Sequence, residues 1–150
     1  MVGGTALLCA WWRAVGVRVG AGVYLDAAPP VELDQLEIGD GAVVAEGMHI
    51  YPQPVEKDTQ KEKDGTRKAV RLRRIRIGRG AVCAGPSSSV QSGAIVGDGC
   101  VLTPLTLVQK QGVLPAAMIW AGNPAEKLVN LPPRLWEAAA RGQAGSKKTD

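Results

Sequence analysis

Between Ile77 and Val108 aliphatic side chains recur at six-residue intervals, with Val90, Val96, Leu102 and Val108 carrying the beat. Small residues, Gly or Asp follow them: Gly97-Asp98-Gly99 after Val96, Thr103-Pro104 after Leu102. Read backwards, Ile77 and Cys83 keep the interval, and the step to Val90 is one residue longer, across Gly85-Pro86-Ser87-Ser88-Ser89. An earlier copy, Ile38, Val44 and Ile50, obeys the same rule. This period matches neither an α-helix nor the alternation of a lone amphipathic strand. It predicts an all-β solenoid whose unit is one short strand plus a turn, the aliphatic residue pointing inward and stacking on its equivalents in adjacent coils. The residue after it sits at a corner, where a side chain collides with the next coil or φ must be positive.

The flanks read differently. Leu8, Trp11, Trp12 and Val15 fall at helical spacing, with Thr5 as N-cap and Gly16 as stop, which predicts a helix within residues 1–16. The run is too short to cross a bilayer. It caps the open end of the solenoid, lies on a membrane surface or, with Arg13 and Arg18 and no acid before Asp26, is a cleaved organelle-targeting peptide. Val19 and Leu25 mark an irregular first coil, Ala27-Ala28-Pro29-Pro30 a turn, and Leu36 to Gly41 the start of the second coil. From Tyr51 the beat is lost, and Pro52, Pro54 and the charged run Glu56 to Gly65 predict a mobile loop over 51–69. Alternation returns at Val70 to Ile77, and the solenoid is expected to extend over 17–129. Pro132-Pro133 suits the first turn of a C-terminal helix over 130–141, with Leu135, Ala138 and Ala139 as its apolar face. Residues 142–150 read as a disordered polar tail.

At 150 residues the chain is one domain, and its 19 Gly and absent Phe suit thin stacked coils. Three Cys without C-x-x-C spacing give neither a disulfide framework nor a zinc site, which points to a reducing, cytoplasmic setting. Cys83 and Cys100 fall where small core residues belong and are expected to be inert. A single histidine, His49, excludes multi-histidine metal sites.

The aliphatic-Gly-x-x-small-x pattern resembles the hexapeptide-repeat, left-handed parallel β-helix family of acyltransferases. The left hand comes from that resemblance alone, since it departs from the usual right-handed crossover. More particularly, His49, the loop, Arg74-Ile75-Arg76-Ile77-Gly78, Val96-Gly97-Asp98-Gly99, Pro104 to Lys110, Leu114-Pro115 and Trp120-Ala121-Gly122-Asn123-Pro124-Ala125 resemble one subgroup. That subgroup is the C-terminal β-helix region of nonribosomal-peptide-synthetase-like proteins related to ε-poly-lysine synthetase, and the similarity covers most of residues 3–129. In that group adenylation and carrier domains and membrane helices come first, so this chain looks like a detached terminal module. It departs from the pattern in the longer charged loop, in the extra residue at Gly85 to Ser89, and in Arg79 where the other repeats carry Asp40 and Asp98.

The resemblance implies a homotrimer that transfers an acyl group from a coenzyme A or carrier-protein phosphopantetheine thioester to an amine or hydroxyl, with no permanently bound cofactor. His49 is then the general base, a role that suits an imidazole near neutral pH; the plainer reading is a surface histidine flanking a turn. Arg67, Lys68, Arg71, Arg73, Arg74, Arg76 and Arg79 form an acid-free basic run that either solvates an outer face or holds donor phosphates or anionic lipid heads. Nucleic acid is not expected, because no aromatics interleave with these charges. Arg74, Arg76, Lys110, Trp120, Gly122, Asn123 and Lys127 are the candidate donor-binding residues, although Glu126 intervenes before Lys127. Ser87-Ser88-Ser89 reads as a corner bulge rather than a nucleophile. A non-catalytic trimeric scaffold, docking synthetase domains or a membrane surface, is the alternative. A gamma-class carbonic anhydrase, which shares the solenoid, is eliminated because it needs three histidine ligands.

Overall fold

The computed structural model describes residues 6–28, 33–52 and 73–130. A helix, α1 (Ala6–Ala14), leads into successive coils of short strands. The first coil holds β1 (Arg18–Val19) and β2 (Tyr24–Leu25). The second opens with a 3-10 turn at Leu33–Gln35 and holds β3 (Leu36–Ile38), β4 (Val43–Val44) and β5 (His49–Tyr51). The third comprises β6 (Ile75–Ile77), β7 (Val82–Cys83) and β8 (Ser89–Gln91), and the fourth β9 (Ile95–Val96), β10 (Val101–Leu102) and β11 (Leu107–Val108). β12 (Val113–Leu114) and β13 (Met118–Ala121) begin a fifth, and β14 (Glu126–Asn130) follows.

The strands form three parallel sheets that the chain visits in rotation. The first sheet runs β1-β3-β6-β9-β12, the second β2-β4-β7-β10-β13 with β14 added, and the third β5-β8-β11. The result is a parallel β-helix-like fold. Inward positions stack in register: Ile38 on Ile77 on Val96 on Leu114, Leu25 on Val44 on Cys83 on Leu102, and Ile50 on Val90 on Val108. All of them are buried. A second inward position lies two residues before each, filled by Ala42, Ala81, Ala94, Cys100 and Thr106 among others. Small side chains fill it on the second sheet, at Ala42, Ala81 and Cys100, whereas the larger Leu36, Ile75 and Met48 also enter it on the other two.

Corners follow the same economy. A Cβ on Gly78 would meet the Asp98 backbone nitrogen at 2.5 Å, so the coils close up only on glycine there. Asp40 and Asp98 each hold the preceding coil, their carboxylates accepting the backbone N–H of Ala21 and of Arg79 at 2.8 Å. Arg79 occupies this corner without penalty, because its guanidinium lies outside and pairs with the Asp98 carboxylate at 3.1 Å. The longer step from Cys83 to Val90 is absorbed at the corner between the second and third sheets. Ser88 turns inward there, 1% exposed, donating to the Thr103 carbonyl at 2.9 Å and accepting the Thr106 N–H at 3.2 Å.

Some of the terminal strands are covered. α1 packs on β1 and β2, the terminal strands of their sheets, and buries Cys9 and Trp12. The Arg13 guanidinium donates to the carbonyls of Val19, at 2.8 Å, and Gly20, tying the helix to the first corner. This removes two strand edges from solvent. At the far end β14 returns antiparallel along β13, a reversal that the six-residue rule does not contain. Asn130 ends that strand, and the remainder of the expected helix over 130–141 lies outside the described residues, as does the tail over 142–150. Tyr51, expected to open the projecting loop, belongs instead to β5, while 53–72 lie outside the description. Arg67, Lys68 and Arg71 fall in that range.

Candidate functional site

Ile50 points into the core, so its neighbours His49 and Tyr51 point out from the third face, and both are exposed. Their rings stack, with centroids 6.0 Å apart and planes 19° from parallel. The backbone N–H of His49 donates to the Ser88 carbonyl at 2.9 Å, which fixes the strand against β8. Register then places Ser89 beside His49 and Leu107 beside Ser89. Leu107 in turn exchanges backbone hydrogen bonds with the Gly122 carbonyl (2.9 Å) and the Ala125 N–H (2.8 Å). The third face therefore carries His49 at one edge and the Gly122–Ala125 turn at the other, separated by three strand spacings, about 14 Å.

The corner from the third face to the first is basic. The Arg73 carbonyl accepts the Gly93 N–H at 3.1 Å, and its guanidinium donates to Gln111 Oε1 at 3.0 Å. Arg74 is exposed beside it. The half-buried Lys110 stands on the same corner, where its backbone N–H donates to Gln91 Oε1 at 3.2 Å. One carboxylate shares this corner: with Leu36 opposite Ile75, the exposed Asp34 takes the position of Arg73 one coil earlier, and it accepts from Gln35 Nε2 at 2.7 Å.

The remaining candidates separate. Arg76 lies on the first face, paired with Glu37 at 3.4 Å, in an open depression of about 610 Å³ that Arg18, Asp40, Arg79 and Ile95 also line. Trp120 takes the inward register position beside Leu102 and packs against the core. Gly122 and Asn123 are exposed in the turn, which contains a cis Asn123–Pro124 peptide bond, and Lys127 is exposed on β14. Sequence reasoning missed Tyr51 and Ser89, although the alternation His49-Ile50-Tyr51 already places two rings on one side of a strand.

The cysteines take no part. Burial, with a smaller contribution from Cys100, pushes the Cys83 thiol up to about 12. Burial also raises that of Cys100, whose thiol donates to the Pro115 carbonyl at 2.8 Å, against the lowering pull of contacts with Met118 and Trp120. Neither is a nucleophile at neutral pH. Among the described residues no group of histidine, cysteine and carboxylate side chains could hold a metal ion, and no helix is long and apolar enough to cross a membrane.

This architecture has solved counterparts. A point mutant of the N-acyltransferase AntD from Bacillus cereus, in complex with dTDP and coenzyme A, superposes with a TM-score of 0.63 at 14% identity, covering 86% of this chain and 81% of that one. A hexapeptide-repeat-containing acetyltransferase from Vibrio cholerae gives 0.58 at 19% identity, over 78% of this chain and 64% of that one. The fold is the one that hexapeptide-repeat acetyltransferases use. In sequence, the chain is 33% identical over 122 residues to a delta-poly-L-ornithine synthetase of Acinetobacter baumannii. That match takes in 81% of this chain and 8% of the synthetase's length. No protein-family model matches the chain.

Proposed function

We propose that the chain is an acyltransferase module working on the third face, with His49 as general base and a thioester of coenzyme A or carrier-bound phosphopantetheine as donor. The observation that carries this reading is the pairing of the protein's single imidazole, exposed on a sheet face, with an adjoining corner on which the basic Arg73, Arg74 and Lys110 outnumber the one described carboxylate, Asp34. An amine or hydroxyl of the acceptor attacks the thioester carbonyl while the imidazole removes its proton. The carbon–sulfur bond breaks, and the proton passes from His49 to the departing thiolate, which restores the base. The basic corner suits donor phosphates, and the Gly122–Ala125 turn bounds the far edge of the strip along which the donor's arm would lie. Arg76, neutralised by Glu37 on another face, is the weakest of the donor-binding candidates.

The fold likeness supports a left-handed, three-sided winding, and the module is taken to act as a homotrimer whose subunits share sites. A cytoplasmic setting suits three free thiols. The competing reading, a non-catalytic trimeric module of a nonribosomal-peptide-synthetase-like assembly, is favoured by the 33% identity to a small segment of a much larger synthetase. One experiment separates them. Acetyl-coenzyme A is offered with a panel of amine and hydroxyl acceptors, and free thiol is followed for wild type and His49→Ala. The enzyme reading expects turnover that falls by about 10²–10⁴-fold in the variant, the usual contribution of a positioned base. Light scattering should return three protomer masses under either reading. Wild type that neither binds coenzyme A nor releases thiol hands the protein to the scaffold reading.

A further inference from the structure

His49 stands in an unusual position for a base. Among the described residues β5 is the outer strand of the third sheet, flanked by β8, and the neighbour that β8 offers is the short side chain of Ser89. Imidazoles used in proton transfer are ordinarily held by a third group that accepts a ring N–H. No side-chain hydrogen bond or ion pair to this ring is found among the described residues, the nearby turn residue Glu46 included. An exposed imidazole without such a brace rotates freely about its side-chain bonds, and a base must keep within hydrogen-bond reach of one proton. Among the described residues the contact that restrains it is the Tyr51 ring at 6.0 Å, inclined by 19°.

We infer that Tyr51 is the positioning residue of this site: its ring, stacked on the His49 imidazole from the same side of β5, sets the imidazole's rotamer and leaves the ring's nitrogen edge open to the acceptor. The inference rests on the proposed role of His49 as base. The position is favourable for two physical reasons. Residues two apart on a strand share a face, so the stack is made within one strand and needs no neighbouring coil. Offset, near-parallel aromatic pairs at this separation are attractive beyond their shared burial. A tyrosine also tolerates the half-exposed setting, 50% for Tyr51, because its hydroxyl reaches water while the ring body stays against its partner. In this arrangement the ring, rather than the hydroxyl, does the positioning, so Phe should replace Tyr and Leu should not.

The protein itself supplies the probe. With one histidine in the chain, the imidazole C–H resonances in a proton NMR spectrum belong to His49 alone. Stacking should shift them upfield by ring current in the full-length wild type and in Tyr51→Phe, and Tyr51→Leu should return them to free-histidine positions. Thiol release from acetyl-coenzyme A, on the same three proteins, should show kcat lower by about ten- to a hundredfold in Tyr51→Leu with the donor KM unchanged, and near wild type in Tyr51→Phe. Resonances that do not move in Tyr51→Leu overturn the stack. Resonances that move without any change in kcat overturn the positioning role, as does a Phe variant as impaired as Leu, which would make the hydroxyl the working group. Unimpaired turnover in His49→Ala marks the different failure of the base itself, and Tyr51 then has no base to position.

Discussion

A pair of substitutions one residue apart tests the register on which every facial assignment depends. Val96 is 1% exposed, stacked between Ile77 and Leu114, whereas Ile95 is 37% exposed on the first face beside Arg76. Val96→Asp removes an aliphatic burial worth roughly 1.5–3 kcal/mol. It also places a carboxyl where no water reaches. Kept neutral, that group still leaves an unsatisfied polar atom at about 1–3 kcal/mol, and as an anion it is more costly. A loss of about 2.5–6 kcal/mol against a typical total of about 5–15 kcal/mol leaves the domain marginal or unfolded. Ile95→Asp removes little buried area and sets a carboxylate opposite Arg76, so its effect should stay within about 1 kcal/mol. Urea titrations followed by circular dichroism give both values from one buffer. Equal midpoints, or greater damage from Ile95→Asp, would mean the strands are out by one residue and that His49 and Tyr51 face inward.

Three further outcomes are expected. Ser88→Ala should lower stability by about 1–3 kcal/mol in the same titration, because the buried Thr106 N–H loses its acceptor, while Ser87→Ala at the exposed neighbouring position should stay within about 0.5 kcal/mol. For Cys83 the folded thiol ionises near 12 and the unfolded one near 9.0, so the contribution is fully present below pH 9 and lost as pH rises towards 12; melting curves between pH 8 and 11 should show that decline, and Cys83→Ser should shrink it. Arg74→Glu combined with Lys110→Glu should raise the KM for acetyl-coenzyme A and flatten its dependence on salt, whereas Arg76→Glu, on another face, should leave both near wild type.

The six-residue spacing determined by itself which side chains stack inside, because an inward aliphatic residue is required once per strand and no other regular structure has that period. It also located the corner glycines and the irregular step at Gly85 to Ser89. His49 was singled out by being alone of its kind. The spacing distinguishes inside from outside but carries no mark of which face a residue lies on, since all three faces alternate alike. The coil count therefore had to come from the tertiary structure, and it separated Arg74 from Arg76, two residues apart in one basic run, onto a corner and a different face. It likewise packed Trp120 against the core and gave Ser88 its place between Thr103 and Thr106, contacts that span fifteen or more residues and leave no local signal. The antiparallel return of β14 escaped the repeat because a chain end closes an open sheet edge once, by hydrogen bonds that need no periodic side chain. The stack of Tyr51 on His49 lies between these cases: alternation along β5 puts both rings on one side, and only the folded sheet, in which no other described side chain bonds the imidazole, makes Tyr51 its principal described support.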